Sequence, residues 1–555
     1  MPTDTFARML AARTSQAATA MMKTNVAAAT TVLPADSDYV RTSGFQVAGD
    51  LGGALYRRVA TPPSHAGKFQ SADGAWWEIA ELNINPRMFG AKFDGSTDDT
   101  DAINAAISSL VAISGSFTPS ASFTLQLPPG RAITRGGHII PSGIKVRVVG
   151  AGAYTTILYQ KNGANAAFIL DVQGQYSSVE NLSLNGNRDN NPTGTDALRI
   201  NGAFVLVSRV FATEASNDGI VLGNLATAIN SRLLNVDVRY CKGYGVNISG
   251  ANASTDCQFT DVNVGTSGKS GFLIASPGQK LTNCHSWGNG IEDATNNHGF
   301  HMTSGASMLV GCEAESNLGR GVYIGSGIKG ISIVGGTIWG NCANGVYIFG
   351  ATQCVLSGIS IRNNGVANAS GAASNAFANV FVDNATYITV VGCNMYDDAQ
   401  SFSAGTYRTT PTYPYPGRTG IYTVRAHYAE GSGSTNNTIV GNSIPKSLTR
   451  SGFAIINAGV LNRYSENVTG ETAIPTLASA ATMTLLTEHQ LIQVAGTTAI
   501  TSITAGAPGR RVTLQFASSG CVVTAGSNLL IGSSYTSTAG GTLGLICDGT
   551  NWYRQ

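Results

Sequence analysis

Charge is scarce in this chain. Of its 555 residues only 12% are Asp, Glu, Lys or Arg, about half the usual ~25%. Basic and acidic residues, 34 and 32, nearly cancel to a net +2, so the basic face that a nucleic-acid partner requires is missing. No apolar run reaches the ~18 residues of a spanning helix, which excludes membrane insertion by that route. There is no Cys-x-x-Cys doublet with zinc spacing, and nine cysteines, an odd number, cannot all pair within one chain. The first 23 residues lack the continuous apolar centre of a secretory signal. Assembly in a reducing cytoplasm with buried thiols is therefore expected. The 67 glycines follow no Gly-X-Y period, which excludes collagen, and 43% hydrophobic residues exclude a disordered chain. Length alone suggests about two to four domains.

What is present is a repeat. A glycine followed by an apolar–x–apolar triplet recurs at Gly219, Gly245, Gly271, Gly299, Gly321 and Gly345, at intervals of 26, 26, 28, 22 and 24 residues. Asn379 continues the series after a longer insertion. A second unit precedes each by some ten residues, at 234–238, 260–264, 282–286, 310–314, 334–338, 356–360 and 391–395. A period near 25 made of short alternating strands, with no helical pattern and no Leu-x-x-Leu-x-Leu frame, predicts an all-β fold. The expected fold is a right-handed parallel β-helix, a solenoid whose coils stack ~4.8 Å apart.

Period-2 alternation sorts inside from outside. One inward column reads Val210, Val236, Val262, Cys284, Cys312, Gly336, Gly358, Cys393, and the next reads Ala212, Val238, Val264, Ser286, Ala314, Ile338, Ser360, Met395. Three cysteines thus line the interior as small hydrophobes. The outward columns read Asp237, Asn263, His285, Glu313, Thr337, Ile359, Asn394 and Arg239, Gly265, Trp287, Glu315, Trp339, Ile361, Tyr396. A third, from the glycine unit, reads Val221, Asn247, Leu273, His301, Tyr323, Tyr347, Phe381.

Residues 90–107, GAKFDGSTDDTDAINAAI, resemble the opening motif of the pectate-lyase-like β-helix superfamily, in which a short amphipathic helix caps the solenoid end. Ala102, Ile103, Ala106, Ile107 and Leu110 share one helical face that would cover the first coil, and Asp98, Asp99 or Thr100 would cap the helix rather than bind calcium. Residues 125–131 look like that superfamily's first coil. The flanks, 25–82 and from about 470 onward, resemble the attachment segment and C-terminal β-domain of bacteriophage tailspikes. The expected division is 1–82, an N-terminal virion-attachment or neck segment; 83–124, opening motif and capping helix; 125–465, polysaccharide-binding β-helix; 466–555, a C-terminal β-sandwich-like domain for trimerisation or glycan binding. The resemblance implies a homotrimer at the virion tail. Its N-terminus would meet a phage tail or baseplate protein, and it would bind and cleave a bacterial surface polysaccharide.

No catalytic residue is carried by that resemblance, so site candidates come from chemistry. Glycoside hydrolysis needs two carboxylates flanking the bond. Glu313 and Glu315 share a strand face with α-carbons ~6.5–7 Å apart by strand rise, a spacing suited to inversion. Glu292 and Asp293, in the long turn of the 28-residue coil, and Asp237 are further catalytic candidates. Trp287, Trp339, His285, Arg239 and Asn263 are candidates for substrate binding, aromatic faces stacking on sugar and polar groups holding hydroxyls. The His301, Tyr323 and Tyr347 strip is a further candidate, with a subunit interface as the rival use. No metal or other cofactor is expected. A polysaccharide lyase acting by β-elimination, which needs a base and a cation, and a non-catalytic receptor-binding adhesin stand as alternatives. Arg239 and Arg362 face outward but lie several coils apart. Residues 395–435 break the period and are expected to form an insertion loop.

Overall fold

In the computed structural model of the chain, the described residues are 23–114, 123–365, 377–397, 426–444, 474–486 and 489–555. Short pieces at 406–409, 412–414, 455–457, 462–465 and 467 complete them. The first 22 residues of the expected attachment segment, and most of the insertion expected at 395–435, lie outside them. The chain forms two units, 1–267 and 268–555.

The first unit opens with a four-stranded antiparallel sheet, ordered Tyr39–Arg41, Leu55–Val59, Trp76–Ile79, Lys68–Gln70. Its core is aromatic: Trp77 and Tyr56 are buried, and Phe69 stacks on Trp77 at 6.1 Å. Parallel pairing then begins at Asn83–Ile84, which lies beside Thr124 and Leu125, ahead of residue 125. The chain leaves this rung to form the helix Thr100–Ser114, whose Ile103, Ala106, Ile107, Leu110 and Ile113 are buried. The aspartates serve its start. Asp98 accepts from the Thr100 amide at 3.1 Å, and buried Asp99 accepts from the Lys92 and Phe93 amides at 2.7 and 2.9 Å.

From there the first unit climbs in parallel rungs. Ser178–Asn185, Leu206–Thr213, Arg232–Arg239 and Gln258–Gly265 stack in one sheet. Phe168–Val172, Asp196–Ile200, Ile220–Leu222 and Val246–Ile248 stack in another. The eight-residue strands bend at a left-handed residue on every rung, Asn181, Arg209, Asn235 and Asp261.

The second unit repeats the plan with that bend opened into a turn. Strand pairs Lys280–Thr282 and His285–Trp287, Met308–Val310 and Glu313–Glu315, Ser332–Val334 and Thr337–Trp339, Val355–Ser357 and Ser360–Arg362 stack rung on rung. A second sheet carries Phe272–Ile274, Phe300–Met302, Val322–Ile324, Val346–Phe349 and Ala378–Asp383. Between the two sheets runs a ladder of buried asparagines. The Nδ2 atoms of Asn289, Asn317, Asn341 and Asn364 each donate at 2.9 Å to Oδ1 of the next, ending on Asn379. This ladder explains the repeat glycine. A Cβ at Gly321 would stand 2.8 Å from Asn341 Nδ2 and 2.7 Å from the Gly345 carbonyl oxygen, so any side chain would push the rungs apart.

Cys284, Cys312 and Cys393 lie buried in the interior, as the alternation requires. In the third outward column Val221 and His301 are nevertheless buried, and one stretch departs from the alternation itself. Ile359 and Ile361 are buried and Ser360 points out, because Ser360 pairs with Thr337 and Ile361 with Ile338. The expected columns had matched Gly358 to Gly336, whereas Ser357 pairs with Val334 and Gly358 therefore follows Gly335. A slip of one residue exchanges the faces. From Thr476–Ala478 onward a six-stranded sheet encloses its own core of Ile492, Val494, Leu514, Phe516, Leu545 and Trp552.

Candidate active site

Register builds the site. His285, Glu313, Thr337 and Ser360 form one outward column of the second unit, and Trp287, Glu315, Trp339 and Arg362 the next. Buried Ser286, Ala314, Ile338 and Ile361 between the columns anchor each strand in the core, so the outward side chains stand on a rigid floor.

The two glutamates converge on one imidazole. Nε2 of His285 lies 3.2 Å from Glu315 Oε2 and 3.9 Å from Glu313 Oε2. The Trp339 indole N–H donates to Glu313 Oε1 at 2.8 Å, and the Arg362 guanidinium lies 5.0 Å over the Trp339 ring. The Trp287 ring stands 6.4 Å from the His285 ring. One ligand atom from each of His285, Glu313 and Glu315 fits within 4.8 Å of the others. The two carboxylates therefore approach within 4.8 Å at their nearest oxygens, whichever of the retaining and inverting arrangements they serve. Strand rise fixes the α-carbons, but His285 draws the carboxylates inward. The same three atoms could hold a divalent ion, a capacity that alternation alone did not reveal.

The other candidates fall elsewhere. In the first unit, Asp237 Oδ1 takes the Arg239 guanidinium at 3.2 Å and Asn263 Nδ2 at 3.0 Å, a local ion-pair cluster. In the second, the Glu292 and Asp293 amides both donate to the Gly268 carbonyl. The Asp293 carboxylate closes its own turn by accepting from Asn296 Nδ2 and from the Asn296 and Thr295 amides. Those bonds, the Asn296 side chain first, hold it below the usual range. His301, Tyr323 and Tyr347 align on successive rungs of the other sheet, away from the glutamate columns. Burial, then the charge of Arg320, push His301 down to about 4, so its imidazole is neutral at pH 7. Arg320 itself escaped the alternation, because it stands just before the repeat glycine; a cation at that junction was the available signal.

The fold is a parallel β-solenoid, the architecture of sugar-polymer enzymes and phage tailspikes. No family model matches the chain. It is 32% identical over 154 residues to alginate lyase 7 of Azotobacter vinelandii, covering 24% of this chain and 17% of that one. It is 25% identical over 285 residues to depolymerase 1, capsule K30/K69-specific, of Klebsiella phage K5-2, covering 48% of this chain and 34% of that one. The chain thus spans about a third or less of the length of these curated relatives. Among solved structures, tailspike protein 2 from the Escherichia coli O157:H7 bacteriophage CAB120 matches with a TM-score of 0.50 at 15% identity. That match covers 79% of this chain and 55% of the other. The chain thus resembles phage tailspikes in fold and a phage capsule depolymerase in sequence.

Proposed function

We propose that the chain is a phage tailspike depolymerase that binds a bacterial surface polysaccharide, capsule, exopolysaccharide or O-antigen, and hydrolyses it at Glu313 and Glu315. The observation that carries this reading is the carboxylate pair bridged by His285 and bordered by Trp287 and Trp339. Glu313, with one oxygen fixed by the Trp339 N–H, attacks the anomeric carbon with the other. Glu315, in contact with His285 Nε2 at 3.2 Å, protonates the departing glycosidic oxygen. The glycosyl ester on Glu313 is then opened by water, whose proton Glu315 takes back. Each cycle consumes one water and frees one reducing end with retained configuration. Trp287 and Trp339 offer ring faces to the sugars on either side. The protein works as a homotrimer on the virion tail, joined through its N-terminal segment to a tail or baseplate protein.

A β-elimination reading is favoured by one feature, the Arg320 cation beside the neutral His301 imidazole and Tyr323, which together offer a charge neutraliser and a base. The test incubates the purified chain with a panel of capsular polysaccharides. Hydrolysis releases reducing ends without ultraviolet-absorbing unsaturated uronates; elimination produces those uronates; an adhesin binds and leaves the polymer intact. Glu313→Gln and Glu315→Gln should each stop hydrolysis, and full activity in both would sink the assignment.

A further inference from the structure

The sheet carrying the repeat glycines presents a second wall with the opposite charge. Tyr323 and Tyr347 stack on adjacent rungs, centroids 5.7 Å apart and 16° from parallel. The Arg320 guanidinium leans on both, 4.9 and 4.5 Å from the two centroids. Arg320 takes part in no ion pair among the described residues, and its Nε is buried with no hydrogen-bond partner. His301, 8% exposed, likewise has a buried Nδ1 with no partner, and its ring lies 5.2 Å from that of Tyr323.

The acids in the neighbourhood are committed to other donors. Asp383 Oδ2 accepts the Tyr347 hydroxyl at 2.8 Å, and Asp293 is bound within its own turn. His298 Nδ1 accepts from the Arg320 amide at 3.3 Å. Burial lowers the Arg320 pKa, offset only in part by the Tyr347 and Tyr323 hydroxyls. A half-buried cation without a counter-ion is costly unless a ligand supplies the charge. A guanidinium resting against aromatic rings can still grip a carboxylate through two parallel N–H bonds.

We infer that this wall is a binding site for the carboxylate of an acidic sugar, gripped by Arg320 with the Tyr323 hydroxyl as a further donor. The inference rests on the reading of the chain as a polysaccharide-handling protein and adds the charge of its polymer: uronate-bearing rather than neutral. Tyr323 and Tyr347 serve here to orient the guanidinium, and His301 lines the floor.

The test titrates the full chain, by calorimetry, with methyl β-D-glucuronoside and separately with methyl β-D-glucoside. The glucuronoside should bind at least ~10-fold more tightly, the weight of one charge-assisted pair. Arg320→Gln, with its melting temperature checked, should erase the preference. Equal affinity for the two glycosides, or a preference that survives Arg320→Gln, overturns the inference. If Arg320→Gln does not fold, the wild-type comparison decides alone. The readout is binding, so full activity of Glu313→Gln and Glu315→Gln would sink the hydrolytic assignment and leave this site standing. Loss of the glucuronoside preference would do the reverse.

Discussion

The two walls of the second unit rise from the same rungs and share an interior, yet they present opposite chemistry. On one, Glu313 and Glu315 meet at His285 between tryptophans; on the other, Arg320 lies against stacked tyrosines, with no acid paired to it among the described residues. The Asn289–Asn379 ladder separates them and fixes their spacing. The lesson is that the repeat dictates only the inward positions. Each outward column is free to take a charge of either sign, so one solenoid can separate bond cleavage from recognition.

The sharpest way to break this contrast is to disarm one wall. Glu313→Gln should lower polysaccharide cleavage by at least ~10³-fold, as expected for a group that reacts in the transition state, while glucuronoside binding stays unchanged. Treatment with EDTA should leave cleavage intact; a loss restored by added divalent ion would reassign His285, Glu313 and Glu315 as metal ligands.

The opposite wall can be probed by acid. His301 titrates near 6.5 when unfolded and about 4 when folded, with burial the largest cause. Between those values the unfolded chain binds the extra proton, so stability is held above pH 6.5 and lost as pH falls toward 4, by up to ~3 kcal/mol. The melting temperature of His301→Gln should therefore fall less steeply than wild type across that window, and parallel curves would contradict the buried neutral imidazole. Arg320 and Asp293 bear on the same imidazole, the first reinforcing the shift and the second opposing it.

Trp339→Phe keeps an aromatic face and removes the N–H that donates to Glu313. Cleavage should drop about 10- to 100-fold, the value of a hydrogen bond to a charged group, with the fold retained. Asn341→Ala takes one member from the ladder, removing one of the two acceptors of Asn317 Nδ2 and one of the two Asn341 donors to Asn364 Oδ1. It should cost ~1–3 kcal/mol of stability, read as a lower melting temperature, and should weaken both walls equally.

Much of the fold was legible because the glycine unit marks each rung: Gly299, Gly321 and Gly345 all sit where a Cβ would strike the next coil. The outward aromatics followed from the same frame. Legibility failed where glycines doubled. Gly335 and Gly336 offer two anchors for Gly358; anchoring on Gly336 puts Ile359 and Ile361 outside, whereas the actual pairing buries both. It failed again at Arg320, which lies in the turn before a strand, where alternation assigns no face. The asparagine ladder was hidden because asparagine in a turn reads as a local feature, while its partners here lie one coil away. The convergence of the carboxylates on His285 depends on side-chain torsions, which strand rise does not encode.

The central claim is that the glutamate wall performs the chemistry. Its most direct test is a crystal structure of Glu313→Gln soaked with an oligosaccharide released by the wild-type protein. The account predicts a glycosidic oxygen within hydrogen-bond reach of Glu315, with sugar rings against Trp287 and Trp339. An oligosaccharide seated elsewhere, with no glycosidic oxygen near Glu313 or Glu315, would contradict it.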